Sequence, residues 1–299
     1  FITMVAFAYL VKIRRLHFDP RRLCEVTGVQ NVGNILRFVL PLALTTLLIW
    51  TQTQSYRLIV ESRIGLEFLG QIGLGLSIAA NIAAAVESVV QQTYMPVFYR
   101  EISDGDAEAR TKACNRIFQL TIPVYLSVTL FVACLAPFLV TLLAHGKFGG
   151  AFLFVIYGAW IELFRMITGV LSTAAHAEMK TRYLVRSYLT GAVVAVIGVV
   201  LGTCGSYYTH MIPLALVVSG FWAMVIMYRD MKKIVRVKVG IRAIRRSAIL
   251  SLPFLAASAF YSHRTSIFMS FAMTAILGLY FLGSQYYVYR RNTLSEPFE

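Results

Sequence analysis

Apolar runs of about twenty residues recur along this chain, and the gaps between them are alternately rich and poor in Lys and Arg. The hydrocarbon core of a bilayer is crossed by roughly 17–25 mostly apolar residues in a helix. No water is available there, so each crossing element has to satisfy its own backbone hydrogen bonds. A chain built this way is confined to an all-α, polytopic bundle of membrane helices. Composition agrees. Of 299 residues 58% are hydrophobic and 14% charged, against about 25% charged in a soluble domain. The net charge of +14 does not point to nucleic acid, because the basic residues sit in short gaps and not on one amphipathic face. Cys24, Cys114, Cys134 and Cys204 are far apart, with no CxxC and no histidine cluster, and predict neither a zinc site nor a disulfide framework.

Eight spans are read at 35–56, 70–98, 117–143, 151–174, 185–204, 208–228, 246–262 and 266–289. The apolar run 1–11 is too short to span, and positive charge follows it where a signal peptide would carry charge in front. It reads as the end of a truncated membrane helix. The resulting division is a basic loop over 12–34, a six-helix unit over 35–228, a second basic loop over 229–245, and two further helices with a tail over 246–299. Gly65, Gly70, Gly146, Gly202 and Gly205 mark boundaries, and the prolines are expected near helix ends, where the lost backbone bond costs least. Most of the 28 Lys and Arg fall in the gaps after 1–11 and after every second span, while the other gaps hold Arg57, Arg63, Lys147 and Arg264. Basic residues favour the cytoplasmic side, which puts the C-terminus in the cytoplasm. The stretches 12–34 and 229–245 are either topology signals alone or surfaces lying along anionic headgroups.

Polar groups within spans are expensive and usually face the bundle interior or a water-filled cavity. Thr46, Trp50, Gln54, Arg57 and Glu61 share one face of the first span. Arg57 and Glu61 are there either as an interfacial i,i+4 pair or as part of a cavity. In the second span Ser77, Asn81, Ser88 and Gln91 align, with Glu87 slightly around the helix. A lone buried carboxylate favours its neutral form, which makes Glu87 a candidate proton carrier, the alternative being a structural hydrogen bond. In the fourth span Gly158, Glu162, Arg165, Gly169, Ser172 and His176 align. Glu162 and Arg165 are either a self-contained i,i+3 pair or a substrate contact. His176 reads as interfacial more readily than as a relay. The last two spans carry almost no ionisable residue and read as lipid-facing. No HExxH, acid pair, Ser/His/Asp set or phosphate-cradling Gly loop is visible, so neither catalysis nor a metal or cofactor is predicted.

The stretch YRLIVESRIGLEFLGQIGLGLSIAANIAAAVESVVQQTYMPVFYRE (56–101) resembles the seventh-to-eighth helix region of polysaccharide repeat-unit flippases, with Arg57, Gly65, Leu69, Gly70, Pro96 and Tyr99 carrying the pattern. HAEMKTRYLVRSYLTGAVVAVIGVVLGTCG (176–205) resembles the family's basic inner loop, with Lys180, and the helix after it. The likeness spans about residues 30–230 and departs after Gly205, where SYYTHMIP stands. These proteins belong to the multidrug/oligosaccharidyl-lipid/polysaccharide exporter superfamily. The resemblance implies one six-helix lobe of a two-lobe alternating-access transporter plus two extra helices, in the bacterial inner membrane. It implies a lipid-linked oligosaccharide as substrate, undecaprenyl pyrophosphate as its carrier, membrane lipids and a polysaccharide polymerase as partners, and neither nucleic acid nor cofactor. Arg57 and Arg165 would then attract pyrophosphate, with Gln54, Asn81 and Gln91 as further substrate contacts and Glu87 or Glu162 coupling an ion. A cation-coupled drug exporter of the same fold and a membrane enzyme acting on lipid-linked sugars are the rival readings.

Overall fold

The computed structural model describes residues 29–103, 106–144, 149–238, 240–259 and 266–294. The run 1–11, the basic stretch up to residue 28, Lys147 and Arg264 lie outside these. The described elements are α1 (Val29–Arg63), α2 (Leu66–Ser103), α3 (Ala107–Ala144), a 3-10 turn (Gly149–Ala151), α4 (Phe152–Ala177), α5 (Arg182–Gly202), α6 (Tyr208–Met231), α7 (Ile241–Leu250), α8 (Leu252–Ala259) and α9 (Ile267–Leu294). Six of them, α2 to α6 and α9, are long and apolar enough to cross a membrane. The chain is a polytopic helical bundle.

Helix ends depart from the span boundaries for a physical reason. Hydropathy marks where hydrocarbon begins, whereas a helix ends where its backbone is capped or broken. Thus α1 already starts at Val29, inside the stretch expected to be loop, and α2 and α3 each run for 38 residues. At 1.5 Å per residue that is about 57 Å, well beyond a core of about 30 Å. Both extend past it at the end of the bundle that collects the basic residues. The α1–α2 corner needs Gly65, whose φ of 119° favours glycine, and its N–H donates to the Val60 carbonyl at 3.1 Å.

Two expectations fail. The prolines do not cluster at helix ends: Pro41, Pro123 and Pro137 lie well inside α1 and α3, where a bundle tolerates the missing donor because neighbours and hydroxyls take up the slack. The single span read at 246–262 is two short helices meeting at Ser251. Pro253 has no N–H to offer the Ile249 carbonyl, and its ring crowds that carbonyl, so the α-helical ladder stops there.

The packing places α4 against α2, α3 and α6, and α5 against both α1 and α6, while α7, α8 and α9 lie on α3. Phe118, Tyr125, Leu135 and Phe138 of α3 are buried almost completely between these neighbours. Lipid is as apolar as leucine, so helices associate through close contact of small residues. Gly75 and Gly158 provide it at the α2–α4 crossing: a Cβ on Gly75 would stand 2.4 Å from Phe154 Cβ, and one on Gly158 would stand 2.9 Å from Ala79 Cβ. At the basic end, Glu101 pairs with Arg116 and Arg110 with Glu178, the latter at 2.8 Å. Asn115 holds the α6–α7 connection there, donating to the Arg236 carbonyl at 2.8 Å and accepting from the Lys238 N–H at 2.7 Å.

Candidate functional site

Polar side chains from five helices converge on one cavity. Gln52, Thr53, Gln54 and Arg57 come from α1, Ser77 and Asn81 from α2, Glu162 and Arg165 from α4, Tyr188 from α5 and Ser219 from α6. The cavity has a volume of about 180 Å³. A water needs roughly 10–15 Å³ of such space and two to four polar partners, so the cavity has room and partners for water, which offsets the cost of placing polar groups within the bundle.

The structure brings Gln54, Arg57, Asn81, Glu162 and Arg165 together around this cavity and leaves Glu87 and Gln91 off its lining. The aligned face of α1 is only partly used. Thr46, Trp50 and Glu61 are exposed elsewhere, because the cavity is shorter than the four turns they span. Arg57 and Glu61 are not paired. Arg57 Nε instead donates to the Tyr56 hydroxyl at 3.3 Å, and among the described residues no carboxylate reaches it. His176 sits half-buried in the last turn of α4, away from the cavity.

The reading of Glu87 as a lone carboxylate is overturned. Arg165 Nη2 donates to Glu87 Oε2 at 2.7 Å, and Arg165 Nε donates to Glu162 Oε2 at 2.6 Å. Gln91 Nε2 adds a longer donation to Glu87 Oε1 at 3.4 Å. A Glu–Arg–Glu triad therefore ties α2 to α4, and the planar guanidinium suits this two-sided role as an ammonium would not. Within one helix the spacing reveals Glu162 and Arg165, but Glu87 comes from 78 residues away, which no local pattern reports. Gly169 faces the same carboxylate: a Cβ there would come to 3.9 Å of Glu87 Oε1. In formal charge the triad carries one net negative unit, which Arg57 across the cavity balances.

Gln52 escaped the sequence reading. It is only 9% exposed and lies where α1 meets α5 and α6: a Cβ on Gly191 would stand 2.8 Å from its Nε2 and 2.9 Å from Ala223 Cβ. A long amide opposite a glycine on a helix far along the chain was the signal, and pairing the two needs the fold.

Fold and cavity together define a multi-pass helical membrane protein with a wet polar pocket between its helices, an architecture that fits a transporter. A family model described as "Polysaccharide biosynthesis protein" matches residues 3–151, about half of the chain, and the chain is similar to that family over this stretch. The match takes in α1 to α3, with Gln54, Arg57, Asn81, Glu87 and Gln91, and the 56–101 stretch that resembles flippases. It ends before Glu162, Arg165 and the 176–205 stretch. No curated protein and no solved structure matches the chain.

Proposed function

We propose that this chain is the translocating part of a flippase that carries undecaprenyl-pyrophosphate-linked oligosaccharide units across the cytoplasmic membrane for surface polysaccharide synthesis. The match to the polysaccharide biosynthesis family supports the pathway, and one observation in the cavity carries the substrate class. Arg57 is a cation that faces a wet, polar pocket with no carboxylate partner among the described residues. A guanidinium without a carboxylate partner in a polar cavity attracts a phosphate group, which it can bind bidentately. Amide and hydroxyl groups of Gln54, Asn81, Gln52 and Ser77 offer sugars hydrogen bonds that carry no charge preference.

Arg165 then has a different role from Arg57. Its guanidinium is already committed to Glu87 and Glu162, so its part is to hold α2 and α4 together. A proton or other cation taken up by either carboxylate would release one arm of that bridge and allow the two helices to separate, which couples an ion to the movement of the lobe. The orientation follows the basic residues, with the C-terminus in the cytoplasm.

The test is surface polymer in a strain that expresses the complete protein. Arg57→Ala should lower surface polysaccharide at unchanged protein level, and Arg57→Lys should recover part of the loss. Unchanged polymer with Arg57→Ala would remove Arg57 from the substrate site. A deletion strain sensitised to drugs but normal in surface polymer would instead identify a cation-coupled exporter.

A further inference from the structure

The outward face of α7, which begins within the second basic stretch, combines two residue types that no single bulk medium satisfies. One side of this helix, with Ile244 and the fully buried Ser247, packs on α3. At 100° per residue, Ile241, Arg242, Arg245 and Ile249 fall together on the opposite side. All four are exposed, Ile241 by 76% and Ile249 by 57%. The start of α8 continues the apolar exposure with Leu252 and Leu255.

The charges are also unlike those on the neighbouring helices. On the α2–α3 extension three of the four cations have acidic partners, Arg110 with Glu178, Lys112 with Glu108 and Arg116 with Glu101, and Arg100 is the exception among the described residues. From the last turn of α6 through α7 the one acid is Asp230, which is buried and taken by Lys233 at 2.7 Å and Arg186 at 3.6 Å. Among the described residues Arg242 and Arg245 have no acidic partner. A topology signal requires only that cations stay on one side. It does not require them to alternate with exposed isoleucines on a single helix face. Water suits the arginines and hydrocarbon suits the isoleucines. The boundary between acyl chains and headgroups suits both, with aliphatic stems buried and guanidinium groups at phosphate level.

We propose that α7 is an interfacial helix whose Arg242 and Arg245 bind the headgroups of anionic phospholipids in the cytoplasmic leaflet. The surface is separate from the cavity, since none of its residues lines that pocket. It therefore does not depend on what the cavity carries.

The test uses the purified full chain in neutral detergent, titrated with phosphatidylglycerol and phosphatidylcholine, with bound lipid counted by native mass spectrometry. The wild type should retain phosphatidylglycerol in preference, and raising the salt concentration should weaken that preference. Each arginine replaced by glutamine should reduce it by about fivefold, bringing Arg242→Gln/Arg245→Gln close to parity between the lipids. Lys112→Gln, which removes a cation that already has an acidic partner, should change little. Arg242→Lys/Arg245→Lys should keep most of the preference and thereby exclude misfolding as the cause. A wild type with no preference would overturn the proposal, as would a double glutamine variant that keeps it. Displacement of the lipid by inorganic phosphate alone would also overturn it, by revealing a site for soluble anions.

Discussion

At the scale of single residues, the cavity separates two arginines that look alike in the sequence. Both lie in or beside apolar spans, and both are candidate phosphate ligands from their position alone. Only partners distinguish them: Arg57 has a tyrosine hydroxyl and Arg165 has two carboxylates. The difference predicts opposite behaviour on substitution. Arg165→Leu leaves Glu87 and Glu162 without their common cation. A fully buried pair broken in this way costs about 3–5 kcal/mol, and the wet cavity reduces that to about 1–3 kcal/mol. The thermal midpoint in detergent should fall accordingly, and adding Glu87→Gln should recover part of it. Arg57→Ala should lower the midpoint much less, because it leaves behind only the Tyr56 hydroxyl and no buried charge. Equal melting of the two single variants would remove the triad as a structural tie.

At the scale of elements, the close crossings depend on missing side chains. Gly75→Leu forces a branched side chain against Phe154, whose Cβ would stand 2.4 Å from a Cβ at this position. Overpacking of this kind costs about 1–3 kcal/mol. The α2–α4 crossing should open, which thermal unfolding in detergent would record, and Gly73→Leu is the control because nothing lies within 4 Å of that position. Gly65→Ala tests the corner between α1 and α2. At φ 119° an alanine is strained, so the substitution should destabilise by more than about 1 kcal/mol, whereas Gly70→Ala on the open side of α2 should not. Of these features, the position of Gly65 was readable as a boundary. The crossings at Gly75 and Gly191 were not, because a glycine inside an apolar run looks the same whether it meets a neighbour or lipid.

At the scale of the whole molecule, α3 is the divide. On one side it supports α2 and α4, which wall the cavity. On another it carries α7, α8 and α9, whose exposed surfaces are rich in Phe, Leu and Tyr. The connections alternate between two ends, and the orientation assigned from the basic residues makes a direct prediction. Single cysteines introduced at Tyr207 and Lys232, both exposed, into a chain without its own cysteines should react with an impermeant thiol reagent from opposite sides of the membrane. Tyr207 should label in intact cells and Lys232 only after lysis. Labelling of Lys232 in intact cells would invert the orientation.

The sequence by itself determined that this is a helical membrane bundle, roughly where its long helices lie and which ends carry the positive charge. Those properties are additive along the chain: hydrophobicity over a window and charge in a gap need no knowledge of neighbours. It also brought Gln54, Arg57, Asn81, Glu162 and Arg165 forward, because polar groups inside apolar runs are conspicuous wherever they occur. Tertiary structure decided which of them meet, that Glu87 bridges to Arg165 and is not a lone acid, that Gln52 fits against Gly191, and that the span read at 246–262 breaks before Pro253. Each of these rests on contacts between distant segments or on a local backbone clash, and neither kind of term appears in a sum over composition.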